Sequence, residues 1–381
     1  MKNSRFFHAI IQMQYVPRWH EHSPRYKDNA ASHSFRCAAI AVLIGIIQEQ
    51  IIKQPVDKLE LAARALLHDL NETVTGSIKH NTKKDAIVAA HIRQLETEVS
   101  KDLVSCLSRS MQGSFYNYIV LAEDDSDIGA LVKQIDTLDA YLFCKREHEA
   151  GSSPYFSQTC QALYDDLQQT ALPAVKWFIQ ALEQEPYSGL QQLVHHIVNL
   201  DLIERWGGSF NLIPDNDATH SFRVAAMTLF NSWLETERFG SSGIDHFRAL
   251  AKSLYHDLVE SISGDVASPI KKSSLEIKAA FEQYEHQLAV SLVEALPISF
   301  HEPLTDFIVH AKDKTYEGEL TDISDKLDAL IKSNLEMRNN PHYGEIYYAQ
   351  LTQLQHHYEN PSVIFFLAYI LHDLTFDHFV R

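Results

Sequence analysis

Two imidazoles and two carboxylates recur in the same order twice along this chain. The first set is His33, His68, Asp69 and Asp136, and the second is His220, His256, Asp257 and Asp325. Such a donor set suits a first-row divalent ion (Mn²⁺, Co²⁺, Fe²⁺ or Ni²⁺, with Mg²⁺ or Zn²⁺ as further candidates) better than a structural zinc, one ion per set. Four protein ligands leave two positions of an octahedral ion open, room for a water and a substrate oxygen. Any one of these residues alone is as readily a core or capping group, and a His-Asp pair alone says little. A third pair, His372–Asp373, has no counterpart elsewhere and lacks a following Glu at the proper distance, so it reads as a helix-end coincidence.

The two sets belong to a duplicated sequence. Arg18–Trp19 recurs as Arg205–Trp206, and Ser32–His33–Ser34–Phe35–Arg36 recurs as Thr219–His220–Ser221–Phe222–Arg223, both at an offset of 187. His68–Asp69–Leu70 with Glu72 recurs as His256–Asp257–Leu258 with Glu260 at an offset of 188, and Asp136–Thr137–Leu138–Asp139–Ala140 recurs as Asp325–Lys326–Leu327–Asp328–Ala329 at 189. Offsets that drift so little imply two copies of one domain, 1–186 and 187–381, joined by the polar Pro- and Gly-containing linker around Glu183–Gly189.

The elements that must position these residues are helical. Cys37, Ile40, Ala41, Ile44 and Ile47 recur at three- and four-residue spacings and predict a helix from about Ser32 to Gln50. Asp57 with Glu60 resembles a capping box opening a helix that runs to Leu70, and Gly76 marks the turn beyond it. Ile128, Leu131, Ile135, Leu138, Leu142 and Cys144 predict a long helix ending before Gly151. Strand alternation with hairpin signals is scarce. The expected fold is all-α: two tandem helical domains packed as an intramolecular pseudo-dimer. The acidic stretch Glu123–Asp127 reads as a solvated loop.

Composition sets the outer limits. The 381 residues carry 33 Lys+Arg against 50 Asp+Glu, a net charge of −17, which argues against a non-specific grip on long nucleic acid. The hydrophobic fraction of 45% is that of a globular chain. No uninterrupted run of about 18 apolar residues occurs, the first residues lack the apolar core of a signal peptide, and the four cysteines form no CxxC pair. The expectation is a cytoplasmic protein that makes no membrane contact, with cysteines serving as small core residues.

The order His … His-Asp … Asp in a helical setting resembles the HD superfamily of metal-dependent phosphohydrolases. An Arg-Trp pair before the first His, an HDxxExxxGD motif (His256 to Asp265) and Asp-x-x-Asp-Ala on a late helix resemble bacterial HD-domain 5'-deoxyribonucleotidases in particular. Members of that family are usually single-domain chains that form dimers. The resemblance implies a nucleoside 5'-monophosphate as substrate, with a metal that binds a phosphate oxygen and activates water. It implies Glu72 or Glu260 as general base, Arg18 or Arg205 on the phosphate, Trp19 or Trp206 against the sugar, and Asp265 and Lys271 completing the substrate site. The second half keeps Gly264–Asp265, Pro269 and Lys271; the first reads Gly76–Ser77, with Asn81 in place of Pro269 and Lys83 retained. The C-terminal half is therefore expected to carry catalysis, while the first keeps its metal ligands and loses a substrate-reading residue.

Two-metal HD enzymes need further His ligands between the HD pair and the last Asp. His80, His91, His286, His301 and His310 fall in that interval, but none is shared between halves, which favours one ion per half. Two other functions compete: a deoxynucleoside triphosphohydrolase, which would need more cationic groups than the sequence offers, and a nucleotide-binding sensor without turnover, motivated by Ser77.

Overall fold

The computed structural model describes residues 2–78, 82, 85, 87–184, 188–266, 268–271 and 273–374. Of the positions singled out above, His80, Asn81, Lys83 and Pro186 lie outside these. Ordered structure is overwhelmingly helical, and in each repeat three helices bring the ligands together. In the first they are Ala30–Gln50, Lys58–Leu67 and Asp127–Glu149; in the second they are Asp217–Phe239, His246–Tyr255 and Tyr316–Glu336. Within each set the three helices pack on one another.

The chemistry of the caps explains where these helices begin. The Asn29 side chain accepts from Ser32 N at 2.9 Å and Asn216 from Thr219 N at 2.8 Å. Asp57 and Asp245 do the same for Glu60 N and Arg248 N, each at 2.9 Å. Each cap satisfies an amide that the helical ladder leaves without a partner. Ala30–Gln50 is buried on every face from Ala30 to Ile47, which makes it the central helix of its unit. Contrary to the expectation drawn from apolar runs, its length and apolarity would suffice to cross a membrane. That apolar stretch is wholly buried within the unit, however, and the helix carries His33 and Arg36.

Each final helix is set by a loop that admits no side chain. A Cβ on Gly129 would collide with the backbone and carboxylate of Asp124, and a Cβ on Gly318 with those of Asp313. Asp124 Oδ1 accepts from Ser126 N and from Arg64 Nη1 at 3.0 Å; Asp313 Oδ1 accepts from Thr315 N, and its Oδ2 meets Lys252 Nζ at 3.0 Å. The acidic stretch is thus not simply a solvated loop: Asp124 ties the start of the ligand helix to a buried arginine, although Asp125 is exposed.

By compactness the chain forms two units. One runs to Lys176 and takes up the described residues from Phe365 onward; the other is Trp177–Ile364. These limits differ from the repeat boundary at 186/187. The break falls at the same register inside the closing helix of each repeat, Pro173–Ala181 and Pro361–Tyr369. Both segments are apolar and bury aromatics: Phe366 meets Phe7 edge-on at 5.1 Å in the first unit, and Trp177 lies 6.5 Å from Phe300 in the second.

Candidate metal centre

A short backbone ribbon introduces each centre. Pro17–Arg18 pairs antiparallel with Asp28–Asn29, and the bridge Glu204–Asn216 repeats that pairing in the second unit. The ribbon places the arginine beside the residue that caps the first ligand helix. The following tryptophan is held left-handed in both units, Trp19 at φ 58° and Trp206 at φ 64°, a conformation that a bulky residue adopts only when its surroundings impose it. The Trp19 indole stacks on Phe143 (5.7 Å, 8°), and Trp206 Nε1 donates to Asp215 Oδ2 at 3.2 Å. Both indoles therefore act as anchors that fix the direction of the adjacent arginine.

The second ligand helix ends earlier than expected, at Leu67 rather than Leu70. Tighter i→i−3 bonds take over, with Leu70 N on Leu67 O and Glu72 N on Asp69 O; Leu258 and Glu260 repeat them on Tyr255 and Asp257. Consecutive residues of a regular helix point far apart. Leaving the helix here lets His and Asp, one residue apart, reach the same point.

The four sequence-derived ligands of each unit converge. His33 Nε2 lies 3.2 Å from His68 Nε2, 3.6 Å from Asp69 and 3.1 Å from Asp136; His68 Nε2 lies 3.3 Å from Asp69. In the second unit His220 Nε2 lies 3.2 Å from His256 Nε2 and 3.3 Å from both Asp257 and Asp325, and His256 Nε2 lies 3.1 Å from Asp257. In the second unit one donor atom from each of these four residues falls within 4.8 Å of the others; in the first, the group that meets this limit is His33, Cys37 and His68.

The outward ring nitrogens decide the tautomers. His33 Nδ1 meets Asp139 Oδ2 and His220 Nδ1 meets Asp328 Oδ2, each at 2.7 Å; His68 Nδ1 meets Ala65 O at 2.9 Å and His256 Nδ1 meets Ser253 O at 2.7 Å. Carboxylates and carbonyls only accept, so each Nδ1 carries the proton and each Nε2 turns a lone pair inward. Two lone pairs facing each other at 3.2 Å beside two carboxylates call for a cation, so the donor chemistry fits a divalent metal.

Without a metal, protons respond to the same field. Burial alone would lower His68, but Asp69, then Asp136 and Glu123, outweigh it and lift the group to about 10. His220 is likewise raised against burial and Arg205 by Asp257, Asp325 and Asp328. Burial would raise Asp257, yet His256, Lys312 and His220 hold it well below the usual carboxylate range.

A second layer of buried charge supports the ligands, and sequence reasoning assigned it no role. Arg36 Nε and Nη2 grip Asp139 at 2.7 and 2.9 Å, and Nη2 also reaches Asp28 at 3.1 Å. Arg223 grips Asp328 at 2.6 and 2.8 Å and Asp215 at 3.0 Å. Asp139 follows Asp136 by one helical turn, so one face of one helix supplies both a ligand and the partner of another ligand. The available signal was the repeat itself, which matched Arg36 with Arg223 and Asp139 with Asp328.

Of the remaining expected residues, the two arginines lie against the clustered carboxylates. Arg18 Nη1 lies 3.2 Å from Asp69; Arg205 Nη1 lies 3.0 Å from Asp217 and 3.4 Å from Asp257. The Nε of both arginines is buried and, short of a hydrogen bond, faces a carboxylate: Arg18 Nε lies 3.6 Å from Asp28 and Arg205 Nε 4.0 Å from Asp215. Glu72 is buried, and Glu260 is held well above the usual range by burial and then by Asp257 and Asp217. Glu260 Oε2 is buried with no hydrogen-bond partner. Lys271, assigned by resemblance to substrate, places Nζ 3.3 Å from Glu260 and 2.8 Å from Glu285. Gly76 and Gly264 hold nearly identical backbones (φ 71°, ψ 165°; φ 76°, ψ 154°), open to glycine alone, so Ser77 and Asp265 leave equivalent turns. Among the described residues His91, His286, His301 and His310 join neither ligand cluster, and His301 Nε2 meets Leu296 O at 2.7 Å.

Besides Ser77 against Asp265, three further differences separate the centres. Cys37, at the position of Val224, puts Sγ 3.7 Å from both ring nitrogens of His33; burial, then Asp139 and Asp136, push its thiol well up, so it keeps its proton. Asp217, at the position of Ala30, is pushed up to about 7, mainly by burial. Lys312, at the position of Glu123, puts Nζ 2.7 Å from Asp325 and 3.5 Å from Asp257.

The profile of a family described as "5'-deoxynucleotidase YfbR-like" matches residues 5–185 and again 192–374. The chain belongs to this family. It contains two successive copies of the family's domain and is an HD-type phosphohydrolase. A "5'-deoxynucleotidase" of Vibrio atlanticus is 26% identical over 180 residues, covering 47% of this chain and 92% of that protein. A "4'-phosphooxetanocin A phosphatase" of Priestia megaterium is 31% identical over 148 residues, covering 39% and 74%. An HD-domain phosphohydrolase from Listeria innocua aligns structurally with a TM-score of 0.45 at 28% identity, over 49% of this chain and 89% of that one.

Proposed function

We propose that the protein is a metal-dependent phosphomonoesterase that releases phosphate from deoxyribonucleoside 5'-monophosphates, with the C-terminal unit carrying most turnover. The observation that bears this reading is the inward convergence of two Nε2 lone pairs and two carboxylates beside an arginine and a buried glutamate oxygen without a partner. His220, His256, Asp257 and Asp325 would hold the ion in the second unit, and His33, His68, Asp69 and Asp136 in the first. When bound, an ion of the Mn²⁺, Co²⁺, Fe²⁺ or Ni²⁺ class supplies Lewis acidity toward phosphate oxygen and water.

The chain's own groups do the rest. The Arg205 guanidinium, steadied by Asp215 on its Nε side and Asp217 at Nη1, presents its fork to the phosphate oxygens. Glu260, its proton affinity raised by burial, takes the proton of the water that attacks phosphorus, and Lys271 fixes its other oxygen. The new O–P bond replaces the bond from phosphorus to the 5' oxygen, and the proton leaves with the nucleoside. Asp265 follows the glycine turn at the substrate side, where Ser77 in the first unit offers a hydroxyl and no charge.

Phosphate release from deoxynucleoside monophosphates, set against triphosphate release from the triphosphates, tests the substrate class. Asp257→Ala should remove most turnover and Asp69→Ala less, while Glu260→Gln should lower kcat by roughly 10²–10⁴ with metal binding retained. Equal losses in the two Asp variants would refute the unequal roles, and full activity in the double variant would refute the metal assignment. Tight nucleotide binding without turnover in any metal would point to a sensor instead.

A further inference from the structure

We infer that the two centres differ in metal affinity because Lys312 is a tethered cation that competes for the carboxylates of the second one. The inference rests on reading both sites as metal centres. The register is fixed by the loop on either side: Asp124 and Asp313 make the same bonds to Ser126 and Thr315, and Gly129 and Gly318 face the same close approach. The residue just before that Asp is Glu123 in the first unit and Lys312 in the second. Charge is therefore inverted at one position beside the same four His and Asp residues.

Lys312 does more than sit nearby. Its ammonium spans both carboxylate ligands, at 2.7 Å from Asp325 Oδ2 and 3.5 Å from Asp257 Oδ1, with a side chain one-third exposed (32%). These are the oxygens turned away from the histidines, which face Asp257 Oδ2 and Asp325 Oδ1, so a divalent ion entering the second centre meets a positive charge held against both of its carboxylates, whereas Glu123 in the first unit adds to the negative field there. Each centre also has an arginine, Arg18 on Asp69 at 3.2 Å and Asp136 at 3.9 Å, and Arg205 on Asp257 at 3.4 Å and Asp217 at 3.0 Å, so Lys312 is a second cation that, among the described residues, the first centre lacks. Asp217 offsets part of the added charge, yet it is engaged with Arg205 at 3.0 Å, so it leaves the competitor in place. The first centre should therefore fill first. The second, which keeps Asp265, should fill only at higher free metal, so the chain would hold one ion firmly and a second exchangeably. Losing a partly exposed pair to two carboxylates is worth about tenfold in affinity.

The test is equilibrium dialysis of the full, chelator-stripped chain against Mn²⁺, reading ions bound per chain by elemental analysis. Two steps at least tenfold apart are expected, with Asp69→Ala removing the tighter and Asp257→Ala the weaker. Lys312→Ala and Lys312→Met should each tighten the weaker step about tenfold and leave the other unchanged. Glu123→Lys should weaken the tighter step by a similar factor. Both positions are exposed, and thermal melts of the stripped variants verify that they fold. Two indistinguishable steps, no response to either Lys312 variant, or loss of the tighter step in Asp257→Ala would overturn the inference while leaving the metal reading intact. No binding at either centre would overturn both.

Discussion

Asp328→Asn is the sharpest probe of how the ligands are held. Asp328 takes Arg223 Nε at 2.6 Å, Arg223 Nη2 at 2.8 Å and His220 Nδ1 at 2.7 Å, and it is 2% exposed. Asparagine keeps the shape but has one acceptor oxygen and an NH₂ group. If the oxygen stays on Arg223, the NH₂ faces His220 Nδ1. The ring must then surrender the Nδ1 proton and carry one on Nε2, inside the metal centre. Breaking a buried pair from one side costs about 3–5 kcal/mol. Arg223 retains Asp215 at 3.0 Å, so a loss nearer 2–3 kcal/mol is expected. Metal affinity of the second centre should fall about 10–100-fold, the usual effect of removing a group that orients a ligating histidine. Denaturant melts of the stripped protein and Mn²⁺ titration read the two effects separately. Asp139→Asn should act likewise on the first centre alone. Unchanged Mn²⁺ affinity in Asp328→Asn, with unchanged stability, would refute the claim that this carboxylate sets the tautomer.

Other consequences can be checked on the same protein. His68 is raised from 6.5 to about 10, so in the stripped protein its charged form contributes stability that is complete below pH 6.5 and lost as pH rises through about 10. The denaturant midpoint should fall between pH 6.5 and 10, while Mn²⁺ binding at the first centre, which must expel that proton, should strengthen over the same range; a midpoint that rises with pH would contradict the assignment. Gly129→Ala and Gly318→Ala should each destabilise by roughly 1–3 kcal/mol, because backbone atoms of the Asp loops occupy the space a methyl group needs. A melting temperature equal to that of the parent would show that the loops can yield.

The duplication, the all-helical class and the eight candidate ligands that the fold gathers into two clusters were legible in the sequence. Each depends on local spacing, or on a residue repeated at a near-constant offset such as His33 with His220. The caps at Asn29 and Asn216 show the limit of local reading. The first ligand helix starts at Ala30 rather than Ser32 because its first capping bond, from Ser32 N to Asn29, involves a residue that carries no apolar periodicity, whereas the helix opened by Asp57 begins where its cap signal put it. The supporting layer was present only as matched letters. Arg36 and Asp139 lie 103 positions apart, and nothing in one dimension shows that they and Asp28 share a buried charge network. The same holds for Lys312, which is separated from Asp257 by 55 positions. It acquires meaning only when the chain folds its ammonium onto two carboxylates. Similarly, the repeat boundary follows ancestry, whereas the compact units follow burial, and the apolar closing helices go where their aromatics are covered. Sequence determined which residues could bind a cation; tertiary structure decided which other charges share that space, because electrostatic competition depends on ångströms and not on offsets.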